Sequence, residues 1–298
     1  MNIKHIFGKT AKARIVTIAG FIIFAVYSAT LIYPFFFMFI NSLKTATEFF
    51  TGQNVFAFPK KAMFSNYWEA LTKFTIRAGG GDAAREFSLV SMFGISIALT
   101  LGGTVLSVLV SAMTAYAVCK YKFFGRNVVY AVAIFTMIIP LVGTLPSLYR
   151  LMNSLKLMNT FLGMMLLYAS GYGFAFLLLY GYFKSLSWSY AEAAFVDGAN
   201  DYSVFFKIML PLSMPALVAV AVIGGIGIWN DYSTPSIFLK GFPSLAVGVN
   251  TLTERQMYDN NYPLMFTTML IAVLPIVIIF SVFQKTIMEN TIAGGLKG

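Results

Sequence analysis

The sequence predicts an all-α polytopic membrane protein with six transmembrane helices. Apolar residues make up 58% of its 298 residues and charged residues only 11%, whereas a soluble domain carries about 25% charged residues. The mean hydropathy of +0.77 points the same way. Six stretches of 23 to 33 residues also contain no Asp, Glu, Lys or Arg. These observations exclude a soluble globular protein.

The six uncharged stretches are long enough to cross a bilayer as helices. They are Ile15–Leu43, Phe87–Cys119, Asn127–Tyr149, Leu157–Phe183, Ile208–Asn230 and Asn260–Gln284. A hydrocarbon core of about 30 Å needs roughly 20 residues, since each helical residue rises about 1.5 Å. The next longest uncharged stretch, Gly241–Thr253, has 13 residues and is too short to span.

Basic residues predict the orientation and the division of the chain. The segment 1–14 has four Lys or Arg and no acidic residue, and Lys120–Arg126 has three. Because basic loops stay on the cytoplasmic side, we expect both termini in the cytoplasm. The predicted segments are a basic N-terminus (1–14), the first span (15–43), an external loop (44–86), a core of five spans (87–285) containing a cytoplasmic segment (184–211), and a cytoplasmic tail (286–298).

The composition argues against catalysis, metal binding and nucleic-acid binding. One Cys (Cys119) cannot form an internal disulfide, and one His (His5) cannot build a His-rich metal site. The chain contains no G-x-x-x-x-G-K-[ST] phosphate loop. The net charge of +10 is scattered over the loops, which indicates membrane orientation and anionic-lipid contact. We therefore expect no catalytic residue, no metal site and no nucleic-acid partner.

The cytoplasmic segment 184–211 is predicted to contain two short helices. The first covers Tyr190–Val196 and ends at Gly198, because glycine adopts the left-handed conformation that a helix C-terminus often needs. The second runs from Tyr202 toward Ile208, and Pro211 marks the entry to the fifth span.

Seven residues of this segment resemble the EAA motif of ATP-binding-cassette (ABC) importer permeases. They are Glu192, Ala193, Ala194, Gly198, Ile208, Leu210 and Pro211. The resemblance implies that the first helix is a coupling helix seated in a groove of an ATP-binding subunit. We expect the two alanines to share one face, where another protein's backbone can approach closely, with Glu192 supplying a charged contact there.

Further motifs resemble the maltose-type carbohydrate permeases, and the six-span subunit in particular. They are Asn41–Lys44, Asn66–Tyr67, Ala115–Ala117, Trp229–Tyr232 and the terminus Ala293–Gly298. The resemblance covers essentially the whole chain and implies a type I ABC importer permease fold. It also implies a location in the cytoplasmic membrane of a bacterial or archaeal cell and an oligosaccharide cargo. The partners that it implies are a second permease subunit in a heterodimer, an external solute-binding protein and two ATP-binding subunits. These ATP-binding subunits would carry the ATP and Mg, while this chain carries no cofactor.

The resemblance also suggests further site residues. The tail residues Gly294, Gly295, Lys297 and Gly298 are expected to contact the ATPase subunits. Because sugars are held by hydrogen bonds and aromatic faces, the candidate substrate-path residues are Tyr168, Tyr172, Trp229 and Asn230. Aromatic residues within spans more often serve as packing or interface anchors, so both interpretations stand.

Two other functions are compatible with parts of the pattern. An ABC importer for polyamines, phosphate or metal chelates would share the EAA segment, although the remaining motifs favour carbohydrate. A secondary transporter coupled to an ion gradient would show ionisable residues inside its spans or inverted repeats. The six uncharged stretches argue against a proton relay.

Overall fold

The computed structural model of the chain describes residues 11–52, 55–79, 84–138 and 143–295. These residues form helices and one antiparallel hairpin, in which Thr75 pairs with Ser88 and Ala78 with Arg85. The elements of the first half are α1 (Ala11–Ser42), α2 (Ala46–Thr51), α3 (Ser65–Thr72), β1 (Thr75–Ala78), β2 (Arg85–Ser88), α4 (Leu89–Lys120), α5 (Arg126–Ile138) and α6 (Leu145–Ser154). Those of the second half are α7 (Phe161–Tyr168), α8 (Phe174–Ser185), α9 (Ser189–Val196), α10 (Asp201–Val204), a π-helix (Phe205–Met209), α11 (Leu210–Leu212), α12 (Met214–Asn230), α13 (Ser233–Phe238), α14 (Leu245–Asp259) and α15 (Tyr262–Gly295).

Three helices of the described residues are long and apolar enough to cross a membrane. They are Arg14–Ser42 in α1, Leu89–Lys120 and Tyr262–Glu289 in α15, which match the first, second and sixth predicted spans. The fifth predicted span is bent, because Asp201–Leu212 and Met214–Asn230 meet at 76° and pass the same test only together. The prediction of an all-α protein with membrane-spanning helices is confirmed.

The third and fourth predicted spans are each built from two shorter helices. The third contains α5 and α6, and the fourth contains α7 and α8. The break between α7 and α8 includes Gly173, whose φ of 87° is incompatible with a continuing α-helix. The length of an uncharged stretch predicts that it lies in the membrane but does not report whether its backbone is continuous.

The chain divides into two compact units, and the first comprises Met1–Ala70 with Thr253–Ile271. Aromatic rings hold this unit together. Phe49 stacks on Tyr262 with ring centroids 5.2 Å apart and meets Phe266 at 5.9 Å. Such ring pairs contribute about 0.5–1.5 kcal/mol each beyond their buried area. Part of the aromatic set of the predicted external loop therefore packs internally.

The end of α1 is capped by a side chain from α3 in the same unit. The last carbonyl groups of a helix lack partners within it. The Asn66 amide donates to the carbonyl oxygens of Ser42 at 2.7 Å and Lys44 at 2.8 Å. The Tyr67 hydroxyl also lies 2.9 Å from the Ser42 hydroxyl. The motifs Asn41–Lys44 and Asn66–Tyr67 thus form one hydrogen-bonded junction.

The second unit comprises Leu71–Leu252 with Ala272–Gly298, and α4 is its central helix. α4 packs against both α8 and α12. Hydroxyl residues recur on α4 every three or four positions, at Ser96, Thr100, Thr104, Ser107 and Ser111. Small residues of this kind let membrane helices approach closely.

A single buried core runs from the spans of the second unit into its predicted cytoplasmic segment. It includes Tyr116 of α4, Phe176 and Phe183 of α8, Ala194 of α9 and Phe205 of the π-helix. The segment predicted to contact a partner is therefore packed onto the ends of the spans, which fixes its position relative to α4 and α8.

Candidate functional site

The first helix of the EAA segment, α9, ends in a complete Schellman motif. Gly198 has a φ of 83°, which lies in the left-handed region. Its N–H donates to the carbonyl of Phe195 at 3.0 Å, and the N–H of Ala199 donates to the carbonyl of Ala194 at 2.9 Å. These bonds satisfy two of the carbonyl groups that a helix end leaves without partners. The predicted role of Gly198 as the residue that ends this helix is confirmed.

The EAA residues of α9 point in two directions. Ala191 and Ala194 are buried in the core, whereas Glu192 and Ala193 are exposed. Val196 is 87% exposed at the end of the same helix. Consecutive helical residues are separated by about 100°, so Ala193 and Ala194 do not share one exposed face, contrary to the expectation. The surface open to another protein contains Glu192, Ala193 and Val196.

The second half of the segment is less regular than the single helix that the sequence predicts. Asn200 caps α10 by accepting the N–H of Ser203 at 2.8 Å. The π-helix Phe205–Met209 follows, and Pro211 lies in the short α11. Proline has no N–H and its ring displaces the carbonyl four residues earlier, which accounts for the irregular hydrogen bonding before it.

The EAA residues Ile208 and Leu210 anchor this half of the segment. Both are half-buried and pack against the core of the second unit. Pro211 is exposed at the bend toward α12. Ser213 fills the inside of the bend, where its hydroxyl donates to the carbonyl of Met209 at 2.8 Å. Ser213 is completely buried, so the bend between α11 and α12 is closely packed at this residue.

Tyr121 joins the end of α4 to the EAA segment, a contact that the sequence did not reveal. Its hydroxyl donates to Asp201 Oδ1 at 2.6 Å. Partial burial, together with the hydrogen bond to Asp201, raises the pKa of Tyr121 well above its usual value, so the phenol stays a donor at neutral pH. The two residues are 80 positions apart, and the available signal was that both lie in predicted cytoplasmic loops.

The substrate-path candidates Tyr168 and Trp229 are each fixed by a hydrogen bond. The Tyr168 hydroxyl donates to Asp231 Oδ2 at 3.1 Å, and Asp231 Oδ1 accepts the N–H of Thr234 at 2.9 Å. The Trp229 indole N–H donates to the carbonyl of Ala272 at 3.0 Å. The rings are therefore held in place, and the indole N–H is already engaged within the chain.

The other two substrate-path candidates are exposed in this chain. Asn230 lies at the end of α12, where its amide donates to the carbonyl of Ile226 at 2.9 Å. Tyr172 lies in the break between α7 and α8 and is 42% exposed. The structure thus brings Tyr168 together with Asp231 but does not assemble the four candidates into one cluster.

Two cavities of the second unit lie along the hydroxyl-bearing face of α4. One has a volume of about 280 Å³ and is lined by Thr100, Thr104 and Trp229. The other, of about 210 Å³, is lined by Thr104, Ser107 and Tyr168. Among the described residues, the hydroxyls of Thr100 and Thr104 are buried without a hydrogen-bond partner. Because both hydroxyl oxygens are buried, a ligand in these cavities could hydrogen-bond to them only after the threonine side chains rotate. The regular spacing of Ser and Thr on α4 was the signal that sequence reasoning missed.

Glycine controls how closely Tyr168 approaches α4. A Cβ added at Gly103 would lie 2.9 Å from Cδ2 of Tyr168 and 3.0 Å from Cδ1 of Ile228. The first distance is shorter than carbon atoms tolerate and the second is tighter than an ordinary contact, so a side chain at position 103 requires the Tyr168 ring to move.

The predicted tail contact falls partly outside the described residues. α15 continues through Gly294 and Gly295, so the predicted tail 286–298 begins inside a helix rather than after one. Lys297 and Gly298 lie outside the described residues. In the described part of the chain, no group of three or more His, Cys, Asp or Glu side chains is placed to hold a metal ion.

Comparison with known proteins gives a consistent set of similarities. The profile of the family described as binding-protein-dependent transport system inner membrane component matches residues 107–289. The arabinooligosaccharides transport system permease protein AraQ of Bacillus subtilis (strain 168) is 30% identical, over 94% of this chain and 96% of AraQ. The diacetylchitobiose uptake system permease protein NgcG of Streptomyces coelicolor is 28% identical, over 90% of this chain and 85% of NgcG.

A solved structure supports the fold independently. A chain in the crystal structure of a bacterial ABC transporter involved in the import of the acidic polysaccharide alginate superposes with a TM-score of 0.75. The match covers 93% of this chain and 98% of that chain at 24% sequence identity. The permease fold predicted from the sequence is therefore confirmed.

Proposed function

Because the chain belongs to the family of binding-protein-dependent transport system inner membrane components, we propose that it is a permease subunit of an ABC importer that moves an oligosaccharide into the cytoplasm. The observation that carries this proposal is the EAA segment, which presents Glu192 and Ala193 on a capped helix rooted in the core of the spans. The saccharide cargo is supported by the relatives AraQ and NgcG, which are named for arabinooligosaccharides and diacetylchitobiose.

In the proposed mechanism, α9 receives the movement of an ATP-binding subunit. Glu192 supplies a charged contact, and Ala193 leaves room for the partner's backbone beside it. The Schellman motif at Gly198 holds the angle between α9 and the following chain. Because Ala194 and Phe205 belong to the buried core, a displacement of α9 is transferred to the spans as the motion of a packed body.

The assembly implied by this function contains further subunits. We propose a second permease in a heterodimer, two ATP-binding subunits and an external solute-binding protein. ATP and Mg would be bound and hydrolysed on the ATP-binding subunits, with Glu192, Ala193, Gly198 and the C-terminal tail on their side of the membrane. The basic segments 1–14 and Lys120–Arg126 support a cytoplasmic location for both termini, which leaves loop 44–86 outside.

The substrate path is proposed to run beside α4 and the C-terminal end of α12. Tyr168 and Trp229 would offer ring faces to a saccharide. Tyr172 and Asn230 are exposed and close to them in the sequence, and they would contact the cargo or the second permease. The hydroxyls of Thr100 and Thr104 would add hydrogen bonds within the spans.

The experiment is to identify what the tagged chain binds and what drives transport. The chain is purified from native membranes in mild detergent, its partners are identified, and the complex is reconstituted in liposomes with the solute-binding protein and a panel of saccharides. We expect an ATP-binding subunit and a second permease to co-purify, and ATP hydrolysis to rise with one class of saccharide. A matched control contains an ATP-binding subunit that cannot hydrolyse ATP. Purification of the chain alone, with uptake driven by an ion gradient, would refute the proposal.

A further inference from the structure

A group of contacts outside the EAA motif holds the end of α4 against the chain between α8 and α12, residues 186–213, which we call the coupling segment. Tyr121 directly follows α4, and its backbone N–H still donates to the carbonyl of Ala117 at 3.1 Å. Its hydroxyl reaches Asp201, the first residue of α10, at 2.6 Å. A phenol donating to a carboxylate at this distance forms a charge-assisted hydrogen bond, which is stronger than a neutral one.

Aromatic rings and one lysine reinforce this junction. Tyr121 lies edge-on to Trp188, with centroids 6.0 Å apart, and to Tyr116 at 5.6 Å. Tyr116 is 4% exposed and contacts Phe205 of the π-helix at 5.0 Å. The Lys120 ammonium donates to the carbonyl of Leu186, just before α9, at 2.6 Å. The end of α4 and the adjoining Tyr121 therefore contact the coupling segment on both sides of α9.

The chain connectivity makes these contacts important for passing a movement of the coupling segment on to α4. The coupling segment continues directly into α12 and is preceded directly by α8, so both helices must follow its movement. α4 is distant in sequence and follows only through non-covalent contacts. α4 also carries Thr100, which lines one cavity of the proposed substrate path, and Thr104, which lines both.

We propose that Tyr121 is a positioning residue whose hydrogen bond to Asp201 transmits movement of the coupling segment to α4. This inference rests on the proposed function for its role in transport, whereas the bond itself is independent of that function. In a chain without the bond, the aromatic contacts keep the rings near one another but no longer fix their direction, because ring contacts tolerate sliding more than a short hydrogen bond does. The movement of α4 then lags behind that of α8 and α12.

The test compares variants that remove or weaken one partner of the hydrogen bond at a time. Tyr121→Phe removes the hydroxyl and keeps the ring contacts with Trp188 and Tyr116. Asp201→Ala removes the acceptor, whereas Asp201→Asn retains an acceptor oxygen. Tyr130→Phe is the matched control, since it also removes one phenol hydroxyl, and the ring of Tyr130 contacts Phe176 and Tyr180 of α8.

The first measurement is amide hydrogen exchange in the full-length chain in detergent. We expect amides of residues 189–204 to exchange about three- to tenfold faster in Tyr121→Phe and Asp201→Ala, the range expected for an exposed charge-assisted hydrogen bond. Tyr130→Phe should exchange within about twofold of the wild type. Asp201→Asn keeps a neutral and therefore weaker hydrogen bond, so its exchange should lie between those of the wild type and Tyr121→Phe. Unchanged exchange in Tyr121→Phe would overturn the proposal.

The second measurement is the number of substrate molecules transported per ATP hydrolysed by the reconstituted complex. We expect this ratio to fall about three- to tenfold in Tyr121→Phe while the ATP-binding subunits remain bound, and to fall less in Asp201→Asn, which keeps a neutral hydrogen bond. A purely structural role would lower the yield of complex and leave the ratio unchanged, which would overturn the transmission role. Failure of the wild-type complex to transport with ATP would instead contradict the proposed function, and the exchange data would still decide whether the bond positions the segment.

Discussion

Replacing Gly198 should impair transport through the backbone conformation at the end of α9. The φ of 83° at Gly198 is strained for residues with a Cβ, and a Cβ built there meets no other atom within 4 Å. The cost within this chain is therefore conformational rather than steric. For Ala it is about 1–2 kcal/mol, whereas Asn tolerates the left-handed region better. A cost of about 1–2 kcal/mol corresponds to a roughly 5- to 30-fold change in the ratio of ordered to opened helix ends.

The assay is ATP-driven uptake in liposomes together with binding of the ATP-binding subunits. We expect Gly198→Asn to retain more uptake than Gly198→Ala. Gly198→Asp also tolerates the left-handed region, but it adds a negative charge beside the proposed partner surface, so we expect it to abolish uptake while the chain still inserts in the membrane. Gly125→Ala is the matched control, because Gly125 has a φ of 85° and a Cβ there also meets no atom within 4 Å. The control carries the same intrinsic cost in a different turn and should leave binding of the ATP-binding subunits intact.

The order of the variants distinguishes two physical causes. If backbone conformation dominates, uptake decreases from glycine through asparagine to alanine. If asparagine is worse than alanine, side-chain size matters and a partner approaches the backbone at Gly198. Full uptake by Gly198→Ala would refute the argument that the left-handed turn sets the angle of the coupling helix.

Three further predictions concern packing and the partner surface. Ala193→Trp should prevent binding of the ATP-binding subunits without lowering the melting temperature of the chain. Ala194→Trp should instead overfill the core and destabilise the fold. Equal effects of the two variants on binding and on melting temperature would contradict this prediction. Gly103→Ala should destabilise the chain by about 1–3 kcal/mol in thermal unfolding. Gly227→Ala is the control and should be neutral or stabilising, because a Cβ at Gly227 meets no atom within 4 Å. Trp229→Phe should cost about 0.5–1.5 kcal/mol in the same assay, because the hydrogen bond from the indole N–H to the carbonyl of Ala272 is lost. An unchanged unfolding temperature would argue against that bond.

Local patterns in the sequence predicted the bounds of α9 accurately. The predicted range Tyr190–Val196 differs by one residue from α9, and the glycine that ends it has the expected conformation. Both features depend on residues within a few positions of one another. The π-helix before Pro211 was not predicted, because the sequence indicates that proline disturbs the helix but not which alternative hydrogen bonds replace the lost one.

Contacts between distant residues could not be predicted from local patterns. Tyr121 and Asp201 are 80 positions apart, and neither lies in a pattern that identifies the other. For Trp229 the sequence indicated a side chain suited to a saccharide, but only the structure shows that its N–H already bonds Ala272. The division of the fourth predicted span likewise depends on backbone angles at Gly173 that an uncharged stretch does not specify.

The 76° bend before α12 makes the preceding helical segment a lever arm for that span. Asp201–Leu212 contains 12 residues and is about 18 Å long at a rise of about 1.5 Å per residue. The buried hydroxyl of Ser213 stabilises the bend between this segment and α12. A lateral force on the Asp201 end of the segment would therefore rotate α12 instead of changing the bend angle. A displacement of about 1–2 Å, typical of helix shifts at subunit interfaces, would turn α12 by roughly 3–7° about its own axis. Rotation of the span, rather than a push along it, is the motion that this bend favours.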